Sequence, residues 1–200
     1  MPARKYDRAY FDRYYRAADT RVRSAAEVGR MVRFVLATAD YVLGRPVRSV
    51  LDVGAGEGNW LPVLRRLRPG IHYQGVDPSA YAVRRFGTRR NLLLGDVAAL
   101  DDLPLRDGYD LVVANGVLNY LTPEQLVEGL PRLTRRADGM LYLELFTKND
   151  DVTGDTRFGH LRDAAWYRRV LKRAGLVGLG MHCYLRRELE GRLAALERAM

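Results

Sequence analysis

The stretch Arg48-Ser-Val-Leu-Asp-Val-Gly-Ala-Gly-Glu-Gly-Asn-Trp60 constrains the fold more than any other part of the chain. Val50, Leu51 and Val53 make a short apolar run around one carboxylate, Asp52, which is the pattern of a strand buried on both faces. Gly54, Gly56 and Gly58 follow, and 60–67 then takes up helical spacing, with Pro62 in its first turn where a missing N–H costs little. A strand, a glycine-rich turn and a helix in that order bring backbone N–H groups and a positive helix end close to an anion. Such a turn either binds a ligand or simply reverses the chain in a small space.

Downstream, strand and helix patterns alternate, as in a parallel sheet built with right-handed crossovers. Residues 71–76 read as the second strand, ending at Asp77-Pro78-Ser79; Pro78 blocks further pairing and Ser79 can cap a helix through Phe86. Residues 91–95 are the third strand, ending at Asp96-Val97, and 111–114 the fourth, followed by Asn115-Gly-Val-Leu-Asn-Tyr120. Thr122-Pro-Glu-Gln opens a helix running to about Arg136, with an N-cap, a first-position proline and an acid in its first turn. Residues 139–146 are the fifth strand. A long polar loop, 147–159, then carries Asp150, Asp151 and Asp155, and loops of this length at a sheet edge are often functional. A helix is expected over 160–174, a sixth strand over 176–185 and an amphipathic helix over 186–200.

Ahead of the core strand, Tyr6, Tyr10, Phe11, Tyr14 and Tyr15 recur near helical spacing, so 7–17 reads as a helix with an aromatic stripe. A second helix over 25–43, capped by Thr20 or Ser24, carries Val28, Met31, Val32, Val35, Leu36 and Ala39 on one face; Gly44 stops it and Pro46 prevents continuation. The two helices form an N-terminal extension, 1–46, before a main domain, 47–200. They either pack on the sheet or lid a pocket, since aromatic faces attract an organic cation such as a sulfonium.

A dinucleotide fingerprint places its third glycine five residues after the first, where this chain has Asn59. The spacing Asp52-x-Gly54-x-Gly56-x-Gly58 instead resembles the nucleotide-binding motif of class I S-adenosylmethionine-dependent methyltransferases of the small-molecule type. Asp77 follows Gly58 by 19 residues, close to the ~20 expected of a carboxylate that takes ribose hydroxyls. The resemblance covers about 48–146. It implies an α/β fold: a doubly wound, mainly parallel, Rossmann-like sheet with helices on both faces. The family's usual seventh, antiparallel strand has no candidate after Leu185, so six strands are expected unless a seventh is hidden within 176–185. The implied cofactor is S-adenosyl-L-methionine, with S-adenosyl-L-homocysteine as product. Gly54, Ala55, Gly56 and Gly58 would wrap its methionine end, and Asp52 and the Asn115 carbonyl would face its ammonium. Asp77 and Pro78 would lie at the ribose, Asp96 at the adenine amino group and Val97 against the ring. The loop at Asn115 lacks the Asn/Asp-Pro-Pro-aromatic tetrad of many amide, base and amino methyltransferases, which favours a metabolite acceptor.

Methyl transfer from a sulfonium is an in-line displacement, so alignment supplies much of the rate, and a nucleophile that must lose a proton also gains from a base. His160 is either that base or a surface histidine. Glu144, near the exit of the fifth strand, is either paired structurally or turned to the pocket. Tyr10, Tyr14, Tyr15, Asn119 and Asp155 are the candidate substrate contacts. His72 and His182 read as structural, the three histidines make no metal site, and the lone Cys183 makes no internal disulfide.

The net charge of +9 raises the question of a polyanion partner. The arginines, however, are spread in pairs over expected helix surfaces. The expected function is therefore methyl transfer to an oxygen or nitrogen of a small metabolite, with an amine favoured if the acidic loop faces inward. Two alternatives remain: an RNA methyltransferase, which requires a contiguous arginine patch beside the cofactor mouth, and a cofactor-binding protein without turnover. No apolar run approaches the ~20 residues of a membrane span, and the opening Met-Pro-Ala-Arg-Lys-Tyr is charged. A cytoplasmic monomer or homodimer without a membrane partner is expected.

Overall fold

The computed structural model describes residues 6–152, 154–155 and 159–198; the start of the expected extension and the last two residues of the expected terminal helix lie outside these. Its strands are β1 Ser49–Val53, β2 His72–Asp77, β3 Leu92–Leu94, β4 Tyr109–Asn115, β5 Ala137–Glu144, β6 Leu176–Gly180 and β7 Cys183–Arg186. They form one sheet in the order β3-β2-β1-β4-β5-β7-β6. All neighbouring pairs from β3 to β5 are parallel, whereas β7 is antiparallel to both β5 and β6. The chain reverses its direction of travel across the sheet between β1 and β4, which is where open α/β sheets bind ligands at their carboxyl ends.

The seventh strand is hidden inside 176–185. Met181 and His182 form a two-residue hairpin loop with φ of +49° and +63°, and positive φ at both central positions matches the twist of the flanking strands. Neither residue is a usual turn former, so the segment reads as one strand in the sequence. Three helix expectations also change. The 160–174 helix begins only at Ala164 (Ala164–Arg173), because His160 N–H donates to the Asn119 carbonyl at 2.7 Å and Lys148 N–H to that of Arg162 at 3.2 Å, holding the chain extended. The 186–200 segment forms two 3-10 turns, Arg187–Arg192 and Ala195–Glu197. Gly191 is a poor helix residue, and Arg192 ties the segment to the carbonyls of Val42 and Leu43. The first helix is a short α1, Arg8–Phe11, that widens into a π-helical turn over Asp12–Arg16.

Helix α2, Ala25–Leu43, starts in a capping box made by Ser24 and Glu27 and ends at Gly44 in the left-handed region. Its Val32, Val35, Leu36 and Ala39 share one core with Val50, Leu111, Val113 and Met140, together with α3, Trp60–Leu67. The opposite face buries Leu51, Val112, Ala114, Leu141 and Leu143 under α5, Pro123–Arg135, and α6, Ala164–Arg173. Residues 25–43 thus belong to the sheet's own core. Among the described residues no helix is long and apolar enough to cross a membrane.

Strand register sets up the site. Asp52 pairs with Gly75 and with Val113, and Asn115 pairs with Glu144. Side chains two residues apart on a strand point the same way. Asp52, Asp77, Asn115 and Glu144 therefore all leave the same face of the sheet, at its carboxyl edge.

Because Met181 is 72% exposed and held at φ +49°, replacing it by asparagine should stabilise the hairpin. We expect Met181→Asn to raise the unfolding free energy by up to about 1 kcal/mol in urea titrations; a loss would contradict the hairpin geometry.

Candidate active site

The glycine turn is fastened to the end of β2. The N–H groups of Gly54 and Ala55 both donate to the Val76 carbonyl, at 2.7 and 3.1 Å. Gly56 N–H donates to Asp77 Oδ2 at 2.6 Å, while Asp77 Oδ1 accepts from Ser79 N–H at 2.8 Å. Gly54 and Gly56 have φ of +74° and +56°, which side-chain-bearing residues rarely adopt. A Cβ on Gly54 would overlap Val117, and one on Gly56 would overlap the Tyr15 hydroxyl. Gly58 instead packs against Arg90 and Leu92. Arg90, at the end of α4 (Ala80–Arg90), donates to the Glu57 carbonyl at 2.5 Å and to Asn59 Oδ1 at 2.7 Å, clamping the outer limb of the turn.

Two carboxylates are buried here. Burial pushes the Asp52 carboxyl up to about 7, against a hydrogen bond from the Tyr73 hydroxyl at 2.8 Å and with a smaller upward push from Asp77. Burial likewise raises Asp77 to about 6, partly offset by its two backbone donors. Tyr15 leans over the turn; burial and the nearby carboxylates of Asp77, Glu57 and Asp52 push its hydroxyl pKa up. Arg16 pairs with Glu57, and the Tyr6 carbonyl accepts from Ser79 Oγ at 2.5 Å, so 6–16 is strapped to both sides of the crevice.

Beside the turn lies a cavity of about 410 Å³. Its walls come from Asp52, Gly54, Ala55 and Trp60; from Asn115 at the end of β4 and Val117 and Tyr120 beyond it; and from Tyr10, Tyr14 and Arg23. Glu144, Phe146, Asp151 and Asp155 close it. Arg23 donates to Glu144 Oε1 at 2.6 Å and to Asn115 Oδ1 at 3.3 Å. Among the described residues, the second oxygen of Glu144, Oε2, is buried without a hydrogen-bond partner, as is the indole N–H of Trp60. Such atoms cost free energy unless a ligand or water satisfies them.

The cavity brings together Asp52, Gly54, Ala55, Asn115, Tyr10, Tyr14, Tyr15, Asn119, Glu144 and Asp155 of the expected residues. Asn119 is committed to structure: its amide donates to the Phe146 carbonyl and the Tyr167 hydroxyl, both at 2.8 Å, and accepts from Phe146 N–H at 3.0 Å. His160 is exposed and outside the wall, because the helix expected to begin with it starts later. Gly56, Gly58, Asp77 and Pro78 sit at the crevice around the turn rather than on the cavity wall. Asp96 caps the 3-10 turn Val97–Ala99 through Ala98 and Ala99 N–H, and Val97 is buried against α5 at Gly129. Sequence reasoning missed Arg23, Trp60, Tyr120 and Arg90. Nothing local distinguishes Arg23 or Arg90 among 33 basic residues.

The crevice and sheet order define an α/β protein of the Rossmann-like kind. Residues 51–141 match the family model described as a methyltransferase domain. A trans-aconitate 2-methyltransferase from Delftia acidovorans is 28% identical over 145 residues, 70% of this chain and 50% of that protein. The chain thus spans about half the length of the curated relative it matches. The magnesium protoporphyrin IX methyltransferase of Synechocystis PCC 6803, solved with S-adenosylmethionine bound, superposes with a TM-score of 0.60 at 22% identity, covering 86% of this chain and 82% of that one. The 1,6-didemethyltoxoflavin-N1-methyltransferase of Burkholderia thailandensis superposes with a TM-score of 0.53 at 22% identity over 74% of this chain and 67% of its own. The family match covers residues 51–141, and the solved neighbours show that the chain shares their fold.

The raised Asp52 and Asp77 values have a direct consequence for stability. Each group binds its proton more tightly when folded, so its stabilising contribution is complete below the unfolded carboxylate range near pH 4. That contribution is lost as pH rises through about 6 for Asp77 and about 7 for Asp52. We expect the ligand-free protein to lose stability, and its melting temperature to fall, between about pH 4 and 7, with a stability slope approaching about 1.4 kcal/mol per pH unit for each group between its two pKa values. Asp52→Asn should flatten the upper part of that fall in scanning fluorimetry; an unchanged slope would contradict the assignment.

Proposed function

We propose that this protein is an S-adenosylmethionine-dependent methyltransferase acting on an oxygen or nitrogen of a small molecule. The observation that carries the reading is the shared sheet face on which Asp52, Asp77, Asn115 and Glu144 converge, with a walled cavity running from the glycine turn to Phe146. The residues present fit the cofactor. The positive-φ glycine cradle leaves no room for side chains, Asp52 is an anion suited to an ammonium, and Asp77 retains lone pairs for ribose hydroxyls.

When bound, the cofactor supplies an electrophilic methyl group on a sulfonium. The chain's own part is to bind and align. Gly54, Ala55 and Gly56 shape the seat of the amino-acid tail, Asp52 and the Asn115 carbonyl face its ammonium, and Asp77 with Pro78 holds the nucleoside. Asp96 and Val97 would border the adenine. Arg90 positions the turn through Glu57 and Asn59. The strap 6–16 closes the crevice, and its tyrosines supply aromatic faces that attract a sulfonium. Glu144, rather than the exposed His160, is the titratable group placed to meet an acceptor.

The cavity favours a small molecule over RNA. Its described charged residues are Asp52, Glu144, Asp151 and Asp155 against Arg23, which repels a polyanion. The adjoining rim mixes Arg13, Arg21 and Arg30 with Asp19 and Glu27 instead of forming a purely basic patch. The space beyond the turn likewise favours turnover over cofactor storage. A buried free thiol, Cys183, suits the reducing cytoplasm.

Calorimetric titration tests the reading. S-adenosylhomocysteine should bind while NAD does not. Gly56→Ala should abolish binding, and Arg90→Ala should weaken it by about tenfold, the worth of one charge-assisted hydrogen bond. Uptake of NAD in place of S-adenosylhomocysteine would refute the proposal.

A further inference from the structure

We infer that the acceptor half of this cavity binds a primary or secondary amine, whose N–H donates to Oε2 of Glu144. The inference rests on the methyltransferase reading and names the substrate class for that same site.

Glu144 is 4% exposed and lines the cavity, yet only one of its oxygens is used. Oε1 accepts from Arg23 at 2.6 Å and from the Tyr142 hydroxyl at 3.5 Å. Oε2 has no donor and lies 3.2 Å from where a Cβ on Gly116 would stand, so it faces the loop after β4. An ionised carboxylate only accepts hydrogen bonds; the ligand group that completes it must therefore bring an N–H or O–H.

Charge decides between those donors. Apart from Asp52, which faces the cofactor, the described charged side chains of the wall are three carboxylates, Glu144, Asp151 and Asp155, and one guanidinium. That guanidinium, of Arg23, is charge-paired with Glu144 and also donates to Asn115, so it offers an anionic substrate less than an unpaired arginine would. A cation gains from this field and an anion loses. The rings of Tyr10, Tyr14 and Phe146 on the same walls add faces that attract an alkylammonium. An amine satisfies the orphan oxygen, the charge and the rings together, whereas an alcohol satisfies only the first and a carboxylate none.

The test uses the full chain saturated with S-adenosylhomocysteine and three matched probes: 2-phenylethylamine, 2-phenylethanol and 3-phenylpropionate. By calorimetry the amine should bind about tenfold to a hundredfold more tightly than the alcohol, as one hydrogen bond to a charged group allows, and the carboxylate most weakly. Glu144→Gln should remove that preference while leaving S-adenosylhomocysteine affinity unchanged. An amine that does not outbind the alcohol, or a carboxylate that binds best, overturns the inference. So does a Glu144→Gln variant that keeps the amine preference and loses S-adenosylhomocysteine, which would assign the oxygen to the cofactor. If Glu144→Gln does not fold, the order of the three probes on the unaltered protein decides alone. Failure of S-adenosylhomocysteine to bind removes the methyltransferase reading and this inference with it, whereas its binding without amine preference removes this inference only.

Discussion

The carboxyl edge of the sheet depends on the two oxygens of Asp77. One takes the Gly56 N–H at 2.6 Å and the other the Ser79 N–H at 2.8 Å. The same carboxylate thus holds the glycine turn against β2 and opens the helix that follows. Its backbone partners are obligatory, since an unpaired N–H at this depth would cost about as much as the bond is worth. The geometry in turn requires glycine at position 56, where φ is +56° and the Tyr15 hydroxyl occupies the place of a side chain. Local backbone chemistry, rather than long-range packing, sets the shape of the crevice.

Two kinds of electrostatics meet in this molecule. Over the whole chain the balance is +9, and most of that charge sits on solvated arginines whose effect is screened within about 10 Å at ordinary salt. In the cavity the sign reverses, and burial makes each charge count for more. Burial raises Asp52 to about 7 and Asp77 to about 6, so a cationic ligand beside them favours their ionised forms. The local field, not the net charge, bears on what the site accepts.

The sequence makes the frame readable and hides the contacts. The first strand, the glycine turn and the helix after it follow from an apolar run and three glycines, because those signals are local. The hairpin at Met181 and His182 is hidden since its loop residues adopt positive φ without being turn formers. The tail beyond Arg186 has the periodicity of a helix, but Arg192 bonds across to Val42 and Leu43, and tertiary contacts override the pattern. The pairing of Arg23 with Glu144 spans 121 residues, and register alone shows that Glu144 shares a face with Asp52. Asp96 and Val97 show the same limit: that one caps a turn and the other packs on a helix is visible only in the structure.

The most direct measurement is a crystal structure of the protein with S-adenosylhomocysteine near neutral pH. The account predicts the amino-acid tail over Gly54 and Gly56 with its ammonium beside Asp52, and the ribose hydroxyls donating to Asp77 while Gly56 keeps its bond to that carboxylate. A ligand seated away from the glycine turn, or an Asp77 turned out of the crevice, would contradict it.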